Sequence, residues 1–210
     1  MVLEVTRERP SDWRARLRQS RLGTLIVLGV TAALVITAVY LVQRPKEAAA
    51  GVTSVKLAGA GTAKPPVVGK PAQDFSATTV DGQQISLRGY LGHPVWLTFG
   101  ASWCAACRAE APDIEAAYQR AKAAGVIVIE VFISEDAAAV RGYTDRVGIS
   151  YLRVADPETQ IASAYRVLGI PAHFFIDRAG VLRSIKTGSL TPARMDAALA
   201  ETGKFPGANG

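Results

Sequence analysis

The sequence predicts an α/β domain, a mixed central sheet with helices on both faces and an N-terminal β-hairpin extension, standing behind a single apolar N-terminal helix. Three observations carry this. Beyond residue 70, short apolar runs typical of buried strands (94–99, 126–133) alternate with longer stretches of helical spacing, the pattern of strands joined by crossover helices. Two further pairs of runs flank Asp81-Gly82 and Arg178-Ala179-Gly180, turn sequences that close hairpins. Upstream, 23–42 is an uncharged run of 20 residues rich in Leu, Val, Ile and Ala.

Taken in order, residues 1–22 form a basic tail with Arg7, Arg9, Arg14, Arg16, Arg18 and Arg21 against Glu4, Glu8 and Asp12. Pro10-Ser11-Asp12 can cap a short helix carrying Trp13, Leu17 and Leu22, either lying on a membrane surface or forming a plain solvated tail. At 1.5 Å per residue, 23–42 matches a hydrocarbon core of about 30 Å and predicts a transmembrane anchor. The arginine excess before it, against Arg44 and Lys46 after it, places 1–22 in the cytoplasm and the rest outside, in a single pass of the inner (cytoplasmic) membrane. Cleavage after Ala48-Ala49-Ala50 competes with this signal-anchor reading, but Arg44, Pro45 and Lys46 separate those alanines from the apolar run. The next segment, 43–70, mixes prolines, glycines, alanines and lysines without a period and predicts a flexible tether spanning roughly 30 Å. Net charge is +6, yet residues 71–210 hold 13 basic and 14 acidic side chains, so the basicity belongs to the anchor and its flanks and excludes a nucleic-acid-binding domain.

One domain is expected over 71–204, with a flexible C-terminus at 205–210. Runs 75–80 and 83–87 form the first hairpin, and 94–99 is a strand ending at Gly100. A helix over 104–124, kinked at Pro112, is stopped by Gly125. A strand at 126–133, a helix at 136–147, a short strand at 151–154 and a helix at 159–165 follow. Strands 172–176 and 181–187 make the second hairpin, and 192–202 closes the chain as a helix.

The only two cysteines lie in Trp103-Cys104-Ala105-Ala106-Cys107, where strand gives way to helix. That spacing puts both sulfurs on a first helical turn, whose free N–H groups and positive dipole end stabilise a thiolate at Cys104. Cys104 is then the attacking sulfur, and Cys107, one turn further in, resolves the mixed disulfide. A static bridge and half of a zinc site are the alternatives; zinc asks for about four ligands, and the only histidines, His93 and His173, are far apart in sequence. No cofactor motif occurs. Glu130 interrupts the apolar 127–133 run, a charge inside the strand expected to be most buried.

The sequence from Phe99 to Cys107, with Glu110 and Pro112, then Gly169-Ile170-Pro171 and Phe174-Phe175-Ile176-Asp177, resembles the thioredoxin fold. With the hairpin, Glu110 and the anchor it is most similar to the extracytoplasmic TlpA/ResA-like thioredoxins, over about residues 70–202. The resemblance implies a cis-proline at Pro171 beside the cysteine pair, and a substrate-binding surface made by Trp103, Ile170 and Pro171. It implies a partly buried carboxylate at Glu110 that takes and returns the proton of Cys107, with a solvated helix glutamate as the alternative. Glu130 aligns near the lysine that cytosolic thioredoxins carry beside a buried aspartate, whose own position holds Thr98. Glu130 or Glu110 is therefore expected to supply the catalytic acid. Two positions depart from the pattern: Gly100 replaces an aromatic, which would leave one wall of the site open, and Ala105-Ala106 lacks the common proline. Implied partners are protein disulfides, with apocytochrome c as a candidate, and a membrane thiol-transfer protein as electron donor. A reductant is the leading reading; a disulfide-forming oxidant, a thiol peroxidase of the redoxin group and a copper-delivery module are the alternatives.

Overall fold

A computed structural model describes residues 21–43, 52–55 and 64–203. The basic tail up to residue 20, the alanine-rich processing candidate at 48–50, the tether over 44–51 and 56–63, and the C-terminus from 204 lie outside the described residues. The chain divides into two units, the first ending at Ala48. In that unit, helix α1 (Arg21–Gln43) runs for 23 residues, and its described side chains over 24–39 are all exposed. Among the described residues, no helix is long and apolar enough to cross a membrane.

The second unit is built on a five-stranded sheet. Its strands are β4 (Val95–Gly100), β5 (Ile127–Ile133), β6 (Leu152–Asp156), β8 (Ala172–Ile176) and β9 (Leu182–Thr187), in the order β6-β5-β4-β8-β9. The β4–β5 and β5–β6 pairs are parallel; β4–β8 and β8–β9 are antiparallel. The crossover helices are α2 (Ala105–Ala121) and α3 (Ala137–Val147), followed by the single turn α4 (Gln160–Ala164) and the closing α5 (Pro192–Ala200). A small hairpin, β2 (Ser76–Thr78) with β3 (Gln84–Ser86), turns through Gly82 at φ 87°.

Because strand side chains alternate, the central strands feed two cores. Val95, Leu97 and Phe99 point with Ile129, Val131 and Phe174 to one face, under the hairpin and Tyr165. Trp96, Val128, Phe132 and Phe175 point to the other, beneath Ile114 and Ala117 of α2 and Met195 and Leu199 of α5. Helix α2 continues through Pro112 and tightens into a 3-10 turn (Lys122–Ala124) before Gly125, in the left-handed region, ends it.

Two stretches of the segment expected as a tether are paired with this domain. Strand β1 (Thr53–Ser54) runs antiparallel to β7 (Gly169–Ile170). Gly69 N donates to Leu182 O at 2.8 Å and Leu182 N to Lys70 O at 2.9 Å, so the domain's backbone pairing begins before Pro71.

Candidate active site

Helix α2 begins at its own sulfur. Cys104 has extended backbone, and its Sγ caps the helix by accepting from Cys107 N at 3.1 Å. Cys104 and Cys107 are joined in a disulfide, their Cα atoms 5.3 Å apart. Once the bond is reduced, the unpaired N–H groups of the first turn favour negative charge on the Cys104 sulfur. The loop ahead of it is pinned by Glu135, whose carboxylate accepts from Ser102 N at 2.7 Å and from the Ser102 hydroxyl. Arg108 donates to Ser102 O at 2.9 Å. The pinned loop holds Trp103 outward, 46 % exposed. A docking surface beside the sulfur fits that exposure, and a core tryptophan does not.

The Ile170-Pro171 peptide bond is cis. Ile170 is fully buried, in the same apolar cluster as both sulfurs.

Beneath α2 the sheet carries a polar rung. Thr98 lies opposite Glu130 on one side and His173 on the other, and directly paired residues share a face. Glu110 hangs from α2 onto this rung and is 3 % exposed, which sets aside the solvated alternative. Its Oε1 accepts from Leu190 N at 2.7 Å and its Oε2 lies 3.5 Å from His173 Nε2. His173 Nδ1 faces the Thr98 hydroxyl at 3.0 Å and Trp96 Nε1 at 3.4 Å. An indole N–H can only donate, so this pairing assigns the His173 proton to Nε2, facing Glu110.

Glu130 lies on the same rung, beside Gly100. Its Oε2 accepts from the Tyr151 hydroxyl at 2.7 Å. A Cβ built at Gly100 would stand 2.7 Å from Glu130 Oε1 and 3.7 Å from Cys107 Sγ, so the carboxylate and the resolving sulfur border one notch. The wall expected to be open at Gly100 is thus occupied, because the missing side chain makes room for a carboxylate. Burial pushes the Glu130 carboxyl up to about 7; the Tyr151 hydrogen bond pulls it down, and the charges of Glu110 and Glu135 raise it further.

Sequence reasoning singled out every residue of the disulfide, the cis-proline and the two acids, and missed Glu135, Tyr151 and Thr53, whose Oγ1 lies 3.9 Å from Cys104 Sγ. Glu135 follows the carboxyl end of a parallel strand, where binding residues gather in α/β sheets. Tyr151 and Thr53 carried no local signal.

Residues 68–185 match the model of the AhpC/TSA family. ResA, a thiol–disulfide oxidoreductase of Geobacillus kaustophilus (strain HTA426), is 34% identical over 124 residues, 59% of this chain and 71% of that protein. The chain belongs to the ResA group of the AhpC/TSA family. ResA of Bacillus subtilis (strain 168) is 30% identical over 123 residues, 59% of this chain and 69% of that protein. Among solved structures, a thiol:disulfide interchange protein of the thioredoxin family from Chlorobium tepidum TLS has a TM-score of 0.59 at 26% identity, covering 65% of this chain and 97% of that one. With the disulfide at the mouth of α2, this family member is a thiol–disulfide oxidoreductase acting on protein disulfides.

Proposed function

We propose that the protein is a membrane-tethered reductant of protein disulfides on the outer side of the cytoplasmic membrane, with α1 as its single-pass anchor and the N-terminus inside. Reduced Cys104 attacks a substrate disulfide, forms a mixed disulfide and releases one substrate thiol. Cys107, deprotonated by a neighbouring carboxylate, attacks Cys104 Sγ, restores the 104–107 bond and releases the second thiol. Two electrons pass to the substrate, and a membrane thiol-transfer protein returns two to the pair. Apocytochrome c, with its paired cysteines, is the candidate substrate.

The observation that carries this reading is the sulfur of Cys104 acting as the N-cap of α2 while sharing an apolar cluster with Ile170. Glu130 is the proposed proton acceptor for Cys107, since they border one notch, and Glu110, held by Leu190 N and facing His173, supports it from across the rung. Two measurements test this. The purified protein is expected to accelerate insulin reduction by dithiothreitol, and its pair to equilibrate with glutathione buffers near the thioredoxin potential of about −270 mV rather than the DsbA potential of about −120 mV. A value near the latter would reverse the direction; no acceleration would end the reading.

A further inference from the structure

The nucleophile is nearly sealed. Cys104 is 1 % exposed, less than Cys107 at 6 %, although Trp103 beside it stands open. Part of the seal is the chain's own segment 52–55. Thr53 lies opposite Ile170 and Ser54 opposite Gly169, and Val55 N donates to Leu168 O at 3.0 Å. Thr53 and Val55 turn inward while Val52 and Ser54 face out, the alternation of a bound strand. Val55 packs against the cluster that holds both sulfurs, and Thr53 Oγ1 lies 3.9 Å from Cys104 Sγ. Gly169 has no side chain where a Cβ would overlap Val52 Cγ1, so the two strands approach closely.

Among the described strands β7 pairs with β1 alone, so once that segment leaves it is a template for an added strand. Threonine and cysteine are close in size, and the threonine Oγ branches from Cβ as the cysteine Sγ does. We propose that segment 52–55 is a built-in stand-in for substrate, with Thr53 in the place of the substrate cysteine that Cys104 attacks. The partner this surface takes is an extended polypeptide that pairs antiparallel with Gly169–Ile170, presents its disulfide-bonded cysteine opposite Ile170, and must first displace residues 52–55. The proposal rests on Cys104 being the attacking sulfur.

Two variants of the full-length protein, purified in detergent, test it. In a Thr53→Cys, Cys107→Ser double variant, diamide takes two electrons and two protons from the remaining thiols. The expected product is an intramolecular disulfide between position 53 and Cys104 whose yield is unchanged by tenfold dilution, whereas the outward-facing Ser54→Cys in the same background stays alkylatable. A position-53 thiol that remains free while Cys104 forms a mixed disulfide with glutathione would overturn the proposal. Val55→Pro deletes the donor to Leu168 and should raise the rate of peptide-disulfide reduction roughly three- to tenfold, as the open fraction grows. An unchanged or lower rate would overturn it as well. Loss of reduction by the unsubstituted protein would instead sink the oxidoreductase reading beneath it.

Discussion

A side chain at position 100 would collide with a carboxylate that Tyr151 already holds by its other oxygen, so Gly100 and Glu130 depend on each other. Gly100→Ala is expected to destabilise the oxidised protein by about 1–3 kcal/mol through overpacking. In a Glu130→Ala background most of that cost should vanish, as a cycle of guanidinium midpoints would read; an undiminished cost would uncouple the two positions. The acid also leaves a mark in the pH dependence of stability. The folded chain keeps the Glu130 proton up to about pH 7, whereas the unfolded chain sheds it near the ordinary value of about 4.5. Between those limits the folded state binds more protons, so stability falls as pH rises, by about 3 kcal/mol in total. Glu130→Gln removes this term and keeps an acceptor for Tyr151. Its stability relative to the unsubstituted protein should be near parity at pH 4 and better by up to about 3 kcal/mol at pH 8. A difference independent of pH would mean the carboxyl titrates alike in both states.

Among the elements, α4 shows how a short helix can govern the site. A single turn does not persist on its own. It is held by Asp156 at the end of β6, whose carboxylate accepts from Gln160 N at 2.8 Å, Ala162 N at 2.9 Å and Ile161 N at 3.3 Å. The turn leads through Tyr165 and Val167 into β7 and the cis-proline. Asp156→Ala should cost about 2–3 kcal/mol by stranding these donors, and amide exchange at Gly169 and Ile170 should quicken before global unfolding does. Unchanged exchange there would show that β7 is held from elsewhere. Elements of this kind were legible in the sequence wherever a local signal marks them. Asp136 caps α3, Gly125 and Gly148 end their helices in the left-handed region, and Asp81-Gly82 turns the hairpin. Strand β1 was not legible, because two residues show no period and their partner lies over a hundred positions away. Glu130 was visible as a charge in an apolar strand, and the resemblance made it a candidate acid, but its place across one notch from Cys107 needed the β4–β5 register and the missing Gly100 side chain. His173, weighed from sequence only as a metal ligand, faces Glu110 through the β4–β8 register.

At the scale of the whole molecule, the proposed anchor rests on what could cover α1. Leu25, Ile26, Val27, Leu28, Leu34, Val35 and Ile36 are each 58–68 % exposed. Leaving such side chains in water forgoes about 1.5–3 kcal/mol apiece. They surround the helix, so a cover from one side would hide only some of them, whereas a bilayer hides all. The apolar sequence runs to Val42 and the helix to Gln43, a backbone length of about 35 Å. The full chain should therefore stay with the membrane fraction through alkaline carbonate extraction. Replacing Leu28 and Leu34 by arginine adds about 2.5–3.5 kcal/mol each to insertion and should move the protein into the supernatant. Because the disulfide lies in the other unit, the released variant should reduce insulin as fast as the unsubstituted protein. Retention of the double variant in the membrane pellet would mean that something other than α1 holds the domain there, and slowed reduction would tie the helix to the chemistry itself.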